Sequence, residues 1–272
     1  MPGGRTVARY RACMTTYDYL ASLFSLSGRT AVVTGGSSGI GRAIAEALAQ
    51  AGAHTVLVAR GADRLESVAS GLREQGCDVS TVVADLSTRA GIHAAADGVV
   101  AAAGEPDILV NSAGINLRPH LGDVDEATWD LTLTVNLEAP FLLGQRFAPG
   151  MAARGFGRLI HISSQQAHRS FVDSGVYGVS KGGLESLARS QSEAWSARGV
   201  TANTLVPGFV LTPLNQRLQD DTERVAALAA RTTVGRNGLP EDFAGAAVFL
   251  ASASSAYVTG HSLFVDGGFS VH

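Results

Sequence analysis

Lysine is nearly missing from this chain: of its 21 basic residues, 20 are arginine and one, Lys181, is lysine. A chain that meets almost every cationic need with guanidinium has used an ammonium once, and that position needs a reason. Charge of either sign is scarce, at 17% of residues with a net charge of -3, so there is no extended basic surface for nucleic acid or an anionic membrane. A small-molecule partner is expected instead. The two cysteines, Cys13 and Cys77, are too few for a disulfide framework and form no Cys-x-x-Cys pair, which points to a cytoplasmic location. No apolar run of about eighteen residues is present to span a bilayer, and the N-terminus lacks the apolar stretch of a secretory signal. The seven histidines are never three or four apart, and neither His161 nor His168 has carboxylate neighbours in sequence, so no metal site is expected. A Gly-x-Ser-x-Gly turn is also missing, which excludes the nucleophile elbow of a hydrolase. Residues 1–25 carry Arg5, Arg9 and Arg11 with no acid before Asp18, and are expected to be a flexible extension in which Met14 is an alternative start.

What is present is apolar and rhythmic. Of 272 residues, 46% are hydrophobic, enough for one α/β domain over 26–272. Short β-branched runs at 30–34, 54–59, 79–84, 108–111, 159–163, 200–206 and 262–265 alternate with helical stretches at 40–51, 62–75, 88–103, 125–153, 175–198 and 240–252. That alternation predicts a doubly wound, seven-stranded parallel sheet of Rossmann type with helices on both faces. The segment 211–238 breaks the rhythm between the sixth and seventh strands, where a substrate lid would lie.

The first run leads through Thr34-Gly35-Gly36-Ser37-Ser38-Gly39-Ile40-Gly41 directly into a helix. Glycines there permit a tight turn and let backbone N–H groups and the helix N-terminus approach a pyrophosphate. Gly35, Ser37, Ser38, Gly39, Ile40 and Gly41 are therefore candidate dinucleotide contacts. At the end of the second run, where an NAD site offers a carboxylate to the ribose, the chain has Val58-Ala59-Arg60. An arginine can pair with a 2′-phosphate, so NADP(H) is favoured over NAD(H). Asp85-Leu86 follows the third run, where the carboxylate can accept from the adenine amino group, and Asn111-Ser112-Ala113-Gly114 closes the fourth, with Asn111, Ala113 and Gly114 beside the ribose.

The lone lysine stands four residues after Tyr177, on the same helical face. A free tyrosine has a pKa of about 10, and bringing it down by about 3 units takes roughly 4 kcal/mol of preferential phenolate stabilisation. An ammonium and a cationic ring beside it could supply that. A compact ammonium also fits where a planar guanidinium does not. Ser164 ends the fifth run and could hold a substrate oxygen beside the phenol. Asn136 interrupts the apolar Leu133–Leu137 stretch, which suggests a specific hydrogen-bonding task such as fixing a water next to Lys181. Arg118, four residues past Gly114 on a strand-end loop, is a candidate for receiving a carboxylate.

From Leu26 onward the chain resembles the short-chain dehydrogenase/reductase family, on the strength of TGGSSGIG, NSAG, the Asn136, Ser164, Tyr177, Lys181 set, and Pro207-Gly208 followed by Thr212. Ser112 departs from the second asparagine usual there. The resemblance implies that Pro207, Gly208 and Thr212 flank the nicotinamide and that the chain pairs its long helices into a homotetramer or dimer. Leu23–Gly28 and Ser164-Gln165-Gln166 are similar to gluconate 5-dehydrogenase-like members, which brings Gln166 to the substrate. The expected activity is reversible hydride transfer between NADP(H) and a carbonyl or secondary alcohol. Two alternatives stand beside it: a non-catalytic sensor or scaffold, for which an eroded tetrad would speak, and a 3-oxoacyl-carrier-protein reductase, for which Arg217, Arg224, Arg231 and Arg236 would have to form a docking patch.

Overall fold

The computed structural model describes residues 15–271. Seven parallel strands, β1 (Thr30–Thr34), β2 (His54–Ala59), β3 (Val79–Val83), β4 (Ile108–Asn111), β5 (Gly157–Ile162), β6 (Val200–Pro207) and β7 (Ser262–Val265), form one sheet in the order β3-β2-β1-β4-β5-β6-β7. Strand order reverses between β1 and β4, and the crevice above a reversal is where open α/β sheets bind ligands. Central strands are buried on both faces, so they read as continuous apolar runs rather than as alternating ones. Successive residues still go to opposite cores: Val33 and Leu57 join Ile44, Leu48, Phe243 and Leu250 on one face, while Val32 and Val56 join Ile92, Leu143, Phe147 and Met151 on the other.

The helices are α1 (Thr16–Phe24), α2 (Gly39–Gln50), α3 (Ala62–Glu74), α4 (Arg89–Ala103), α5 (Glu126–Leu133), α6 (Ala139–Ala153), α7 (Gly175–Trp195), α8 (Gln216–Gln219), α9 (Thr222–Ala230) and α10 (Ala244–Ala251). Two regions differ from expectation. The helix expected over 125–153 is broken into α5 and α6 by a π-helical segment, Thr134–Glu138, with Asn136 at its centre. Helix α1 lies inside the extension expected to be flexible; Thr15 caps it by accepting from Asp18 N–H at 3.1 Å, and it buries no residue, leaving Tyr17, Leu20 and Phe24 exposed. Arg5, Arg9, Arg11, Cys13 and Met14 lie outside the described residues. Helices α8 and α9 belong to the segment between β6 and β7. That excursion is closed at its base, where Val210 pairs with Gly238 and Leu211 N–H donates to Gly238 C=O at 3.0 Å. Among the described residues no helix is long and apolar enough to cross a membrane.

Candidate active site

The ends of β1 and β4 are locked together by one hydroxyl: Thr34 Oγ1 accepts from both Ser112 N–H and Ala113 N–H at 3.1 Å. Close approach of the two loops then requires glycine. Gly35 has φ +70, and a Cβ on it would lie 2.9 Å from Ala113 N; one on Gly41 would lie 2.5 Å from Gly35 O. Helix α2 starts immediately beyond, with Ser38 as an N-cap whose side chain makes no capping bond and with no acid in the first turn. Its first N–H groups and the positive end of its dipole are therefore left for an anion.

Two cavities meet over this loop. One of about 190 Å³ is lined by Gly35, Ser38, Gly39, Ile40, Gly41, Pro207, Gly208 and Thr212 on the cofactor side, and by Arg118, Ser164, Gln166, Tyr177 and Lys181 on the other. The second, of about 360 Å³, shares Gly35, Ser38, Ala113 and Gly114 with it and runs past Ser37, Asp85 and Leu86 to Arg60 and Arg64. A continuous trough with uncapped N–H groups at its middle and two guanidinium groups at one end fits a phosphorylated dinucleotide. Arg64 escaped the sequence reading, although it follows Arg60 by four and lies in the first turn of α3. No carboxylate pairs with either arginine among the described residues.

Asn111 is a correction. Its side chain does not line the trough; register pairs it with His161 across β4 and β5, and Asn111 Nδ2 donates to His161 Nδ1 at 3.0 Å. His161 in turn donates from Nε2 to Gln191 Oε1 at 2.7 Å. Complete burial pulls this imidazole down to about 4, so it is a neutral link in the core. The neighbouring Ser112, Ala113 and Gly114 face the cavity instead.

At the other end of the trough, Tyr177 lines the cavity beside Ser164. Burial pushes the phenol up to about 12, against the pull of Ser164 and of the Arg118 charge. Lys181 sits one turn further along α7, its Nζ 5.5 Å from the Tyr177 ring centre and donating to Ile162 C=O at 2.7 Å. Burial pulls this ammonium down to about 8. The free chain therefore holds Tyr177 as a protonated phenol at neutral pH, and the phenolate expected from the sequence needs more than Lys181 alone, because desolvation opposes it.

Asn136 does something other than hold a water by itself. Its Nδ2 donates to Ile115 C=O at 2.9 Å and Ser180 Oγ at 3.0 Å, and its Oδ1 accepts from Ile115 N–H at 2.9 Å. The π-helical turn thus pins the loop after Gly114 to α7. Its Oδ1 nevertheless faces the lysine across Gly114, where an added Cβ would lie 3.3 Å from Oδ1 and 3.6 Å from Lys181 Nζ. Arg118 has φ +56, a left-handed conformation that costs a non-glycine residue of order 1 kcal/mol. It donates from Nη2 to Asn215 Oδ1 at 3.3 Å, joining the β4 loop to the excursion after β6. Sequence reading missed Asn116 and Gln165 as cavity residues. Their signal lies in chemistry that only three dimensions reveal: Asn116 Oδ1, Gln165 Oε1 and Gln166 Oε1 are buried with no hydrogen-bond partner, a condition native proteins rarely leave unfilled.

A family model described as Enoyl-(Acyl carrier protein) reductase matches residues 35–270. The chain is 40% identical over 252 residues to gluconate 5-dehydrogenase of Gluconobacter oxydans (strain 621H), covering 92% of this chain and 97% of that one. It is 38% identical over 259 residues to the L-tagatose-forming galactitol 2-dehydrogenase of Cereibacter sphaeroides, covering 93% and 99%. The crystal structure of a gluconate 5-dehydrogenase from Burkholderia cenocepacia J2315, in complex with NADP and tartrate, superimposes with a TM-score of 0.88 at 38% identity, covering 93% of this chain and 99% of that one. Matches of this extent, on a fold whose glycine loop and tyrosine-lysine helix meet in one trough, establish that the chain belongs to the short-chain dehydrogenase/reductase family.

Proposed function

We propose that the enzyme interconverts a polyhydroxylated ketone and the corresponding secondary alcohol, using NADP(H), with Tyr177 as proton donor and acceptor. The observation that carries this reading is a phenol at the cavity wall with Ser164 beside it and the only lysine of the chain one turn further along the same helix. When bound, the nicotinamide supplies the hydride in reduction and takes it back in oxidation. Tyr177 gives its proton to the substrate oxygen as the carbonyl becomes an alcohol, and Ser164 donates a hydrogen bond to the same oxygen. Lys181 lowers the cost of the phenolate left behind, while Asn136 keeps the β4 loop and α7 at fixed separation. The excursion over 211–238 serves as a lid, tied to the site through Arg118 and Asn215. All four tetrad residues are present, which speaks against a non-catalytic scaffold. A carrier-protein reductase is disfavoured because Arg236 is spent on Asp242 at 2.6 Å and Arg231 lies over Phe269. Scarce cysteine supports a cytoplasmic location.

Arg60 and Arg64 select the phosphorylated cofactor. We expect Arg60→Asp to lower kcat/KM with NADPH by about 10- to 100-fold, the worth of one charge-assisted contact, and to change it little with NADH. Wild-type preference for NADH would refute the assignment.

Sugar acids are the favoured substrates. Three unpartnered amide oxygens suit a chain of hydroxyls, and Arg118 suits a carboxylate. In a panel of keto acids and neutral ketoses read by NADPH absorbance, Arg118→Ala should raise KM for the acids about tenfold or more while sparing the neutral compounds. Equal effects on both groups would remove Arg118 from substrate recognition.

The assembly is proposed to be a homotetramer. Trp129 and Leu131 on α5, Phe141 on α6 and Val179 on α7 are exposed in the isolated chain, and burying such residues in pairs is a common use of a long apolar helix face. A light-scattering mass near the 28.0 kDa of one chain would exclude it.

A further inference from the structure

Tyr177, Lys181 and Glu185 follow one another at four-residue spacing on α7, so a third ionisable side chain extends the row on the same face. Glu185 is 4% exposed, and burying a carboxylate is costly unless its oxygens are satisfied. They are satisfied by three donors from three elements. Ser163 Oγ donates to Oε1 at 2.7 Å, His168 Nε2 donates to the same oxygen at 3.0 Å, and Ser262 Oγ, at the start of β7, donates to Oε2 at 3.0 Å. Since a carboxylate only accepts, the hydrogen of His168 must be on Nε2.

The placement of the first two donors matters most. Ser163 directly follows β5 and His168 closes the single 3₁₀ turn Gln165–Ala167. One carboxylate oxygen thus fastens both ends of the segment whose middle carries Ser164, Gln165 and Gln166 into the cavity. His168 also packs on Phe264, with ring centres 4.9 Å apart, which fixes its imidazole against β7.

We propose that Glu185 and His168 are positioning residues that set the Ser164–Gln166 turn against Tyr177. Neither touches the substrate or cofactor. Glu185 anchors the turn to the same helix that carries the proton donor, so Ser164 and Tyr177 share one frame. Displacing a catalytic group by about 1 Å can cost about 100-fold in rate. The inference builds on the proposed role of Ser164, but its primary test does not need turnover.

That test is amide hydrogen exchange on the full chain. The turn is marked by Gln166 N–H donating to Ser164 Oγ at 3.1 Å and by Ala167 N–H donating to Ser164 C=O at 2.9 Å. His168→Ala removes one donor from a half-exposed position and leaves the core packed. Exchange at residues 166 and 167 should accelerate about tenfold or more in this variant, while amides of β1 and α2 keep their rates. His168→Gln, whose Nε2 can reach the place of the imidazole N–H, should restore most of the protection, and Glu185→Gln should reproduce the loss. In His168→Ala and Glu185→Gln, kcat should fall about 10- to 100-fold with KM for NADPH unchanged, and His168→Gln should recover most of it. Unaltered exchange in His168→Ala, or equal losses in His168→Ala and His168→Gln, would overturn the assignment. If wild type reduces no member of the substrate panel, the functional reading fails while the exchange result still decides this one.

Discussion

Replacing Tyr177 by Phe is expected to lower kcat for carbonyl reduction by about 10²- to 10⁴-fold, the range for loss of a general acid, with the fold and cofactor affinity preserved. The change removes one oxygen from the ring and leaves its packing. The hydroxyl of Ser164, which loses the phenol as a neighbour, faces the cavity, where water can take its hydrogen, so a large stability loss is not expected. Ser164→Ala should also slow reduction, but it leaves the phenol in place and should not change which group titrates. Steady-state rates beside NADPH binding measured by fluorescence separate the two effects. Near wild-type turnover in Tyr177→Phe with cofactor still bound would contradict the assignment.

Lys181→Arg should cost a comparable amount, despite keeping the charge. The ammonium occupies a closed slot, donating to Ile162 C=O at 2.7 Å and lying 3.6 Å from where a Cβ on Gly114 would be; a planar guanidinium does not fit there. Turnover should fall by about 10²-fold or more, and the rise of alcohol oxidation with pH should shift upward, because a displaced cation lowers the Tyr177 pKa less. The substitution has a second signature in the cofactor-free chain. Folded Lys181 loses its proton near 8 against 10.5 for the ordinary side chain, so in that window the unfolded chain binds more protons and stability increases with pH. Tyr177 acts in the opposite sense, but only between 10 and about 12. Arginine stays charged across both windows, so the rise in thermal midpoint from pH 8 toward 10 expected of wild type should vanish in Lys181→Arg. A rise of equal size in both proteins would show that Lys181 is not the group responsible.

Most of the frame was legible because it depends on local pattern. β1, β2, β4 and β7 fall on the residues expected from the β-branched runs, and the glycine loop is dictated by backbone approaches that any side chain at Gly35 or Gly41 would block. What escaped depends on long-range register. Asn111 follows an apolar strand and reads as a loop-edge contact, yet its pairing with His161 directs its amide into the core. Asn136 reads in the sequence as a misfit in a helix, but the π-helical turn that accommodates it, and the bonds to Ile115 and Ser180 that occupy it, arise from how α7 packs on the β4 loop. Arg64 is an ordinary surface arginine until α3 brings it alongside Arg60 at the trough. Helix α1 did carry a signal, Tyr17, Leu20 and Phe24 at helical spacing after the Thr15 cap, but it is only nine residues long and buries none of them.

The central claim is that this chain moves a hydride from a nicotinamide to a carbonyl carbon while Tyr177 moves the proton, and isotope transfer tests it most directly. Wild-type protein would be incubated with NADPH deuterated at C4 on both faces of the ring and with 5-keto-gluconate, the product expected of a gluconate 5-dehydrogenase, and the alcohol analysed by mass spectrometry. The account predicts deuterium on the carbinol carbon with wild type and a product yield in Tyr177→Phe reduced in proportion to its rate. Absence of deuterated alcohol from that compound and from every other keto acid and ketose tried, in a protein shown to bind NADPH, would contradict it.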